Sequence, residues 1–554
     1  MARQHQRRAR PRIPGFAGSI ITGRELMTAT VPEDEAVHNG EVLPILSASA
    51  KKMRIDKLLA TPLPTYTSSI PGSYLWTKIA FWMCRRVASV QFRTTSTTRA
   101  APLSQSGGGA MCCGWHTNGL MDPLGIFLQH PKEFVVGARH DLVTRPLLGW
   151  WTRRLAVQPV VRKAELLRGG CTEEEALHLN GRSLLALANG VAHGFGCVLF
   201  PEGTSHSESH MIRFKTGPFR TVLASAALAK ASDLELPHLL PVGLHFRCRE
   251  DFRTDQYIEF GEPIQVTKDL ISDEMVDAVK QGGWVEPPAE AVHALRDRLQ
   301  TRLPFQTPNT ATWEEHRALH LVAHLHARRE GRQLPRWQDE VHAARNVREA
   351  WSTEPDTFPP KPIADERMAH AIEAAEILET NQLDGRALNA SATGLKTGRL
   401  TKAPMNVVAL LAFLLLLPLS LSSLGLQVLL GRLLGDSTDE GLDARTSYQF
   451  LAAFFGSLLI WPIIALLWTG AFWINADAVF DALHSTLPAW GSLTAGQQIL
   501  AAITTYLLMF PLFWLSGKSF ARAWDAWVDL RSVLRRRTMD RDQKERLFYL
   551  LKQI

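Results

Sequence analysis

Cysteine and long uncharged apolar runs are both scarce in this sequence. The 554 residues include six cysteines, too few for a disulfide scaffold of this length. The mean hydropathy of −0.06 excludes a transporter built mostly of membrane spans. Hydrophobic residues still make up 46% of the chain, enough for a sizeable core, which excludes wholesale disorder. At about 150 residues per domain, the length indicates several segments.

The apolar residues are concentrated near the end of the chain. Residues 403–431 and 446–476 contain no Asp, Glu, Lys or Arg, and a third apolar run covers 498–517. A helix of about 20 residues crosses a bilayer core, and each run reaches that length. Any one of them alone could be a buried core helix, but three together predict a membrane region. Tryptophans flank the runs as an aromatic belt would, at Trp473, Trp490, Trp514, Trp524 and Trp527.

Positive charges predict the topology of this region. Lys396, Arg399 and Lys402 precede the first run, and a basic segment follows Lys518. The positive-inside rule then places both ends in the cytoplasm, which requires an even number of crossings. Because Pro418 interrupts the first run, we expect residues 404–431 to form a membrane hairpin. Two transmembrane helices, 446–476 and 498–517, then cross as a pair, and residues 518–554 form a basic cytoplasmic helical tail.

The first 91 residues divide into two parts. Residues 1–70 are predicted to be a mostly disordered basic tail, and no apolar stretch follows its arginines as in a secretory signal. Residues 73–91 are apolar and aromatic but carry Lys78, Arg85 and Arg86, too many charges for a membrane span. An amphipathic helix lying on the cytoplasmic leaflet and an ordinary packed helix both fit this pattern.

Residues 100–266 alternate between short apolar runs and helical segments. This alternation predicts an α/β domain. Residues 267–400 are charged and predicted to be helical. The candidate strands are 111–115, 133–137, 158–162, 197–200, 239–246 and 256–260, and the candidate helices are 124–130, 145–156, 172–189 and 217–231.

A histidine and an aspartate follow the first strand of this domain. His116 stands at the strand end, and Asp122 opens the next helix with Pro123 behind it. An Asp-Pro pair is also an ordinary helix start. Ligand sites, however, form at strand ends in α/β sheets, and a histidine backed by a carboxylate can deprotonate an alcohol. The pair is therefore a candidate catalytic dyad.

A second polar segment follows the strand that ends at Phe200. Gly203 allows a close backbone approach, and Thr204 supplies a hydroxyl. Arg213 and Lys215 follow and can neutralise a phosphate, although solvated charges after a turn are equally common. His206 and His210 are four residues apart, but no third ligand has a recognisable spacing, so no metal site is predicted. The segment is a candidate phosphate site.

Four short sequence motifs, or blocks, follow one another in the order that is typical of one enzyme family. His116 and Asp122 form the first block, and PLLGWWTRRLAVQPVVR, ending at Arg162, forms the second. The third is FPEG, residues 200–203, and the fourth is LLPVGL with Pro241. Across residues 75–266 the chain resembles the glycerolipid acyltransferase family, which includes lysophosphatidate and glycerol-3-phosphate acyltransferases.

One difference from the commonest family pattern narrows the resemblance to a subgroup. The commonest family spacing has four residues between His and Asp, usually with Asn before the His, whereas this chain has five residues and Trp115. Such a spacer, followed by Asp122-Pro123-Leu124, looks like the fungal-type glycerol-3-phosphate and dihydroxyacetone phosphate acyltransferases. Residues 310–329 and the late apolar runs also look like that subgroup.

The resemblance implies a fold and a mechanism. The fold is a central mixed sheet flanked by helices, then a helical region and C-terminal transmembrane helices. His116 is implied as the general base and Asp122 as the residue that orients it. The acceptor hydroxyl would attack an acyl-CoA thioester directly. Acyl-CoA is a co-substrate, and no cofactor is implied. The acceptor phosphate would lie against Arg162, Glu202, Gly203, Thr204 and Lys215, and Pro241 would lie on the acyl-donor side.

Several alternatives stay open from the sequence. Cys112 and Cys113 are rival nucleophiles just before His116, although adjacent strand cysteines usually pack in a core. Other enzymatic possibilities are a lysophosphatidate acyltransferase and a CoA-independent phospholipid transacylase. A non-catalytic lipid-binding scaffold is the alternative of another class. The net charge of +7 fits a membrane surface as well as a nucleic acid, so we expect no nucleic-acid partner. The expected location is a bacterial inner membrane or the endoplasmic reticulum, with the site facing the cytoplasm.

Overall fold

The computed structural model describes residues 37–38, 41–42, 53–101, 108–168, 170–281, 283, 285–354, 357–396, 403–437, 442–482 and 489–554. Most of the predicted disordered tail, residues 1–70, lies outside this set. Within it, strands β1 (Val37–His38) and β2 (Glu41–Val42) pair antiparallel. The structure describes residues 53–70, which include helix α1 (Ile55–Leu59). Leu58 is fully buried against Val143 and Leu179 of the domain, and that burial stabilises the segment.

A mixed seven-stranded sheet is the centre of the structure, which confirms the predicted fold class. The remaining strands of the chain are β3 (Phe92–Arg99), β4 (Ala110–Gly114), β5 (Phe134–Val135), β6 (Gly137–Arg139), β7 (Gln158–Val160), β8 (Gly196–Val198), β9 (His238–Phe246), β10 (Thr254–Phe260) and β11 (Ile264–Gln265). The sheet runs β3, β10, β9, β4, β8, β5, with β11 beside β9. Strands β4, β8 and β5 are mutually parallel, and β9 and β10 are antiparallel. Strands β6 and β7 form a separate parallel pair.

The sequence analysis missed strand β3. Its residues, FRTTSTTR, lack the alternation of apolar and polar side chains that predicts a half-buried strand. Thr94 Oγ1 instead donates to Asp255 at 2.7 Å, and Thr97 Oγ1 donates to Gln129 at 3.2 Å. Threonine fits the pleated backbone through its β-branch, so this polar edge strand pairs with β10 without an apolar face.

Helices cover the sheet on both faces. Helices α7 (Glu173–Ala192) and α8 (Gly217–Ala231) pack on one face over the largest apolar core. Helix α3 (Met121–Gln129) packs on the other face. The other helices of this part of the chain are α2 (Tyr74–Gln91), α4 (His140–Thr144), α5 (Pro146–Arg154) and α6 (Lys163–Leu167).

Residues 267–396 are helical and build a second core. The helices are α9 (Asp273–Lys280), α10 (Ala289–Arg302), α11 (Trp313–Arg329), α12 (Trp337–Trp351) and α13 (Glu366–Thr380), with short 3₁₀ turns at Lys268–Leu270, Leu303–Gln306 and Gly385–Ala387. Helices α11 and α13 share their apolar core with the last helix of the chain, α19 (Arg541–Gln553). This assembly lies against strands β9 and β10, where Trp337 Nε1 donates to the His245 carbonyl at 3.1 Å. The start of α11 also reaches the end of β4, because the rings of Trp313 and Trp115 lie 5.8 Å apart.

Charged side chains join the helical region to the sheet, and we call them the rear network. Arg247 donates to both oxygens of Glu340, at 2.7 and 2.6 Å, and to Asp255 at 2.8 Å. Arg345 binds Glu259 with two hydrogen bonds. His324 Nε2 lies 3.1 Å from Glu340. Each buried charge in this network has an oppositely charged partner, as buried charges require.

Three helices near the end of the chain are long and apolar enough to span a membrane. They are α15 (Leu417–Asp436), α16 (Leu442–Ile474) and α18 (Ala495–Thr538). A short apolar helix, α14 (Ala403–Leu415), precedes them. Helix α17 (Ala476–Ala482) and a 3₁₀ turn at Trp490–Ser492 lie between α16 and α18. Many leucines of the three long helices are exposed, among them Leu421, Leu466 and Leu507. Such apolar surfaces on a soluble protein are unfavourable in water, which agrees with a membrane environment.

The boundaries of these helices differ from the prediction. The first run breaks at Leu416, two residues before Pro418. Both of its helices contact α18, and the second, α15, packs mostly on α16. Helix α16 ends at Ile474 rather than at 476. The predicted span 498–517 and tail 518–554 are not separate elements, because α18 continues through Lys518 to Thr538. Lys518 donates to the Ser89 carbonyl at 2.9 Å, so its charge is bound without a helix break. The predicted hairpin and crossing pair stay predictions.

Candidate active site

The candidate site lies where strands β4 and β8 end. These parallel strands are neighbours, with Cys112 level with Val198, so the segments that follow them leave the sheet side by side. His116 follows β4 by two residues, and Glu202 follows β8 by four. The carboxyl ends of adjacent parallel strands are where polar side chains from distant sequence positions meet.

His116 and Asp122 form a hydrogen-bonded pair. His116 Nδ1 donates to Asp122 Oδ2 at 2.9 Å, in the tautomer that protonates Nδ1. The same oxygen accepts from the backbone N–H groups of Thr117 and Asn118, at 2.8 and 2.7 Å. Asp122 therefore reaches back to the loop before its helix and does not act as an ordinary helix cap. Its carboxylate is fully buried, whereas the His116 side chain is 17% exposed.

The second ring nitrogen of His116 is available to a ligand. Nε2 makes no hydrogen bond to any residue that the structure describes. The ring stacks on Phe200, with centroids 3.9 Å apart and planes 9° from parallel. Asp122 and Phe200 thus fix the ring in both rotation and tilt. A neutral imidazole held this way presents one acceptor nitrogen toward the open side of the sheet, which is what a general base requires.

Glu202 joins the two strand-end loops. Its carboxylate accepts from the His116 N–H at 2.9 Å and from the Ile212 N–H at 3.0 Å. His206 Nε2 lies 2.9 Å from the same side chain, and the His206 N–H donates to the His116 carbonyl at 3.1 Å. Glu202 is 1% exposed. Glu202, a predicted phosphate-site residue, therefore holds two loops together. One is the loop between His116 and Asp122, which we call the dyad loop, and the other is the loop that begins with FPEG, which we call the FPEG loop.

Gly203, Thr204 and Lys215 surround the turn after Glu202. Gly203 has φ +74°, a conformation that favours glycine, and a Cβ there would lie 3.2 Å from Lys215 Cγ. The Thr204 hydroxyl donates to the Ser205 carbonyl at 3.3 Å. Lys215 is exposed, and its backbone N–H donates to the Pro201 carbonyl at 2.6 Å. The exposed cations Lys215 and Arg213 thus lie beside a turn open to solvent.

Arg162 and Pro241 do not join this cluster. Arg162 Nε donates to the buried carboxylate of Glu165 at 2.6 Å, and among the described residues it has no hydrogen bond to the dyad loop or the FPEG loop. It follows β7 of the two-stranded sheet. Pro241 lies within β9, level with Cys113, and is buried in the sheet.

The rival cysteine nucleophiles lie inside the sheet. Cys112 and Cys113 are both fully buried on β4. Burial raises the pKa of Cys112 and of Cys113, so both stay protonated thiols at neutral pH. Neither can supply the thiolate that nucleophilic attack requires.

Sequence reasoning missed the residues that hydrogen-bond to the loop between His116 and Asp122. Thr446 Oγ1, at the start of α16, donates to Asn118 Oδ1 at 2.6 Å. The Leu120 N–H donates to Ser447 Oγ at 2.9 Å. Arg249 Nη1 donates to the carbonyls of Thr117 and His206, at 3.2 and 3.3 Å. The first two partners lie more than 320 positions along the chain from this loop, so no local pattern reveals them.

Comparison with known proteins agrees with this geometry. Residues 89–244, which include both strand-end loops, match the family model described as Acyltransferase. This part of the chain is therefore similar to acyltransferases. The matched segment covers β4, β8 and most of β9, and includes both His116 and Asp122.

Two curated relatives come from Saccharomyces cerevisiae. Glycerol-3-phosphate O-acyltransferase 2 is 27% identical over 151 residues, which cover 27% of this chain and 19% of that protein. Glycerol-3-phosphate O-acyltransferase 1 is 29% identical over 82 residues, which cover 15% of this chain and 10% of that protein. The match thus spans at most about a fifth of either relative. Among solved structures, the 1-acyl-sn-glycerophosphate acyltransferase PlsC of Thermotoga maritima aligns with a TM-score of 0.26 and 17% identity, over 40% of this chain and 80% of that one.

Proposed function

We propose that this protein is a membrane-bound acyltransferase that moves a fatty acyl chain from acyl-CoA to a hydroxyl of glycerol 3-phosphate or dihydroxyacetone phosphate. The observation that carries the proposal is the His116 ring, fixed by Asp122 and Phe200 with Nε2 open. The likeness to two glycerol-3-phosphate O-acyltransferases supports the choice of acceptor.

The chemistry assigns one proton path. His116 Nε2 takes the proton of the acceptor hydroxyl as its oxygen forms a bond to the thioester carbonyl carbon. Buried Asp122 stabilises the imidazolium that results. The tetrahedral intermediate then collapses, the C–S bond breaks, and the imidazolium returns the proton to the CoA sulfur. No acyl-enzyme is formed, in keeping with the protonated, buried thiols of Cys112 and Cys113.

The acceptor phosphate is assigned to the turn after Glu202. Exposed Lys215 and Arg213 supply positive charge there, and Gly203 lets the backbone approach an anion. Glu202 contributes by holding this turn against the His116 loop. Arg162 stays a proposal for the same phosphate, which it would reach only by leaving Glu165. Pro241 stays a proposal for the donor side.

Membrane attachment is part of the proposal. Helices α15, α16 and α18 present apolar side chains, and α2 exposes Tyr74, Leu75 and Trp82. Helix α2 also packs against α16 and α18, so it combines a packed face with an aromatic exposed face. We assign it to the membrane surface, which places the His116 site beside the leaflet that supplies acyl-CoA and receives the product.

The test is transfer of a labelled acyl chain by the purified full chain in detergent. Glycerol 3-phosphate, dihydroxyacetone phosphate and lysophosphatidate are supplied in turn. We expect acylation of one of the first two, and a loss of at least about 10²-fold in His116→Ala, the usual worth of a general base. His193→Ala is the control, because His193 is exposed and distant from the dyad loop.

The outcomes separate the alternatives. Acylation of lysophosphatidate alone overturns the acceptor assignment but keeps the transferase. Transfer from a labelled phospholipid without CoA indicates a transacylase. Absence of transfer to any acceptor, or full activity of His116→Ala, overturns the proposal.

A further inference from the structure

The side chain of a buried arginine near the end of α11 has no partner among the residues that the structure describes. Arg328 is 8% exposed, and its Nε has no hydrogen bond. None of its nitrogens forms an ion pair with a described residue. Removing a guanidinium from water without a counter-charge is costly. Every charge of the rear network avoids that cost by pairing, so Arg328 is an exception.

Two further cations lie beside Arg328. Lys396 follows the bridge that joins Leu388 to Leu395. Ala327, Leu395 and Met539, which lie one to three positions from Arg328, Lys396 and Arg536, meet in one apolar core and bring the three cations to the same part of the fold. Partial burial, and then the charges of Arg328 and Arg536, lower the pKa of Lys396, in agreement with this arrangement. Arg536 of α18 donates to the Ser532 hydroxyl at 3.1 Å, while its Nε is buried without a partner.

The nearest carboxylates are already occupied. Asp384 accepts two hydrogen bonds from Arg386 Nε and one from Nη2, at 2.6 to 3.0 Å. Asp529, which lies near Arg536, accepts from Arg93 at 3.1 and 3.3 Å. Arg328, Lys396 and Arg536 therefore form a concentration of positive charge that the described part of the protein does not balance.

We propose that Arg328, Lys396 and Arg536 bind a phosphate group at a site separate from the acyl-transfer site. Two guanidinium groups and an ammonium group match the oxygens and the charge of a phosphate. Helix α11 separates this site from the His116 site. Trp313, at its start, donates to the Ser207 carbonyl near the FPEG loop, and Arg328 lies 15 residues later, about 22 Å along the helix.

The position favours a soluble phosphate-bearing molecule over a lipid head group. Arg536 lies 18 residues beyond Lys518, about 27 Å along α18 from the end of its apolar segment. A lipid head group presents the same chemistry, so the experiment has one arm for each source.

The first arm measures binding of radiolabelled orthophosphate to the purified full chain by equilibrium dialysis, with chloride holding the ionic strength constant. We expect saturable binding that Arg328→Gln and Arg536→Gln each weaken about tenfold or more. Arg332→Gln is the matched control, because it removes the same charge from a side chain 62% exposed near the same helix end. Lys215→Gln reports any phosphate bound at the acyl-transfer site, and we expect it to leave this binding intact.

The second arm uses nanodiscs of phosphatidylcholine with and without phosphatidate. Stabilisation by phosphatidate that disappears in Arg328→Gln supports the same site with a head group as its ligand. If neither orthophosphate nor phosphatidate binds in a manner that depends on these residues, the proposal is overturned.

Two further readouts distinguish the site from a structural role. Without phosphate, Arg328→Gln is expected to unfold at the same or a higher temperature than the wild type, because it removes an uncompensated charge. A lower unfolding temperature, with unchanged phosphate binding, overturns the proposal. Should Arg328→Gln fail to fold, exposed Lys396→Gln decides: unchanged phosphate binding in that variant also overturns it.

Discussion

Two groups of charged side chains on the same sheet have opposite characters. In the rear network, the charges of Arg247, Glu340 and their neighbours pair with one another. At the ends of β4 and β8, Asp122 and Glu202 are just as buried, but they hold His116, whose Nε2 stays open. Full pairing stabilises a fold, whereas one open atom held by paired neighbours can perform chemistry.

Removing the charge of Asp122 tests the difference between the two groups of charges, and its effect on the rate of acyl transfer is the largest that we expect. Asp122→Asn keeps the shape of the side chain but cannot stabilise an imidazolium, and it no longer selects the tautomer of His116. We expect kcat for acyl transfer to fall by about 10²-fold or more. Asp273→Asn is the control, since Asp273 is 91% exposed on α9. Normal kcat in Asp122→Asn contradicts the assignment of the dyad.

Replacing a carboxylate by an amide in the rear network should lower the stability of the fold and not the rate of acyl transfer. Burial would raise the pKa of Glu340, but Arg247 holds it below the usual value, so the carboxylate is charged when folded. Glu340→Gln leaves Arg247 with one partner fewer and is expected to lower the free energy of unfolding by about 3 kcal/mol. Chemical denaturation measures this loss, and kcat per folded molecule should stay within about twofold. A large fall in kcat at normal stability contradicts the division between the two groups.

The hydrogen bonds between the start of α16 and the dyad loop predict a smaller effect on catalysis. Thr446→Val combined with Ser447→Ala removes the bonds to Asn118 and Leu120. At about 1 kcal/mol per hydrogen bond, we expect kcat/KM to fall by roughly five- to thirtyfold. Ser457→Ala is the matched control, because Ser457 bonds only to the Ala453 carbonyl of its own helix. An unchanged kcat/KM in the double variant means that α16 does not position the loop.

Buried histidines without acidic partners predict a modest pH dependence of stability. Burial, with a contribution from nearby Lys132, lowers the pKa of His130 and of His238 to about 4. The unfolded chain, with a histidine pKa near 6.5, therefore binds more protons than the folded chain between about pH 6.5 and 4. Stability should fall as the pH drops through this window, by at most about 1.4 kcal/mol per pH unit for each histidine.

Thermal unfolding between pH 7 and 5 measures this slope, and His130→Gln should reduce it. The range avoids most carboxylate titration, which would otherwise add to the effect. An equal slope in His130→Gln assigns the pH dependence to other groups.

The sequence pattern predicted the parts of this protein that depend on short-range order. Period-2 and helical patterns predicted most strands and helices of residues 100–266, and a strand end followed by a short spacer predicted the proximity of His116 and Asp122. Strand β3 was missed because its threonines carry no apolar alternation. Glu202 was predicted to bind phosphate, but packing of the two loops turned its carboxylate toward the backbone of His116 and Ile212.

By itself, the sequence determined the α/β class, the separation of an apolar C-terminal region and the proximity of His116 and Asp122, the pair that we propose as catalytic. Each follows from residues within a few turns or strand lengths of one another. Only the tertiary structure decided which charges are paired, which nitrogen of His116 is open, and that the start of α16 holds the dyad loop. Those outcomes depend on contacts across hundreds of residues, and packing of the sheet against its helices determines them. Arg328 illustrates the difference: in the sequence it is one arginine among many, and in the fold it is a buried cation whose side chain has no partner in the described part of the chain.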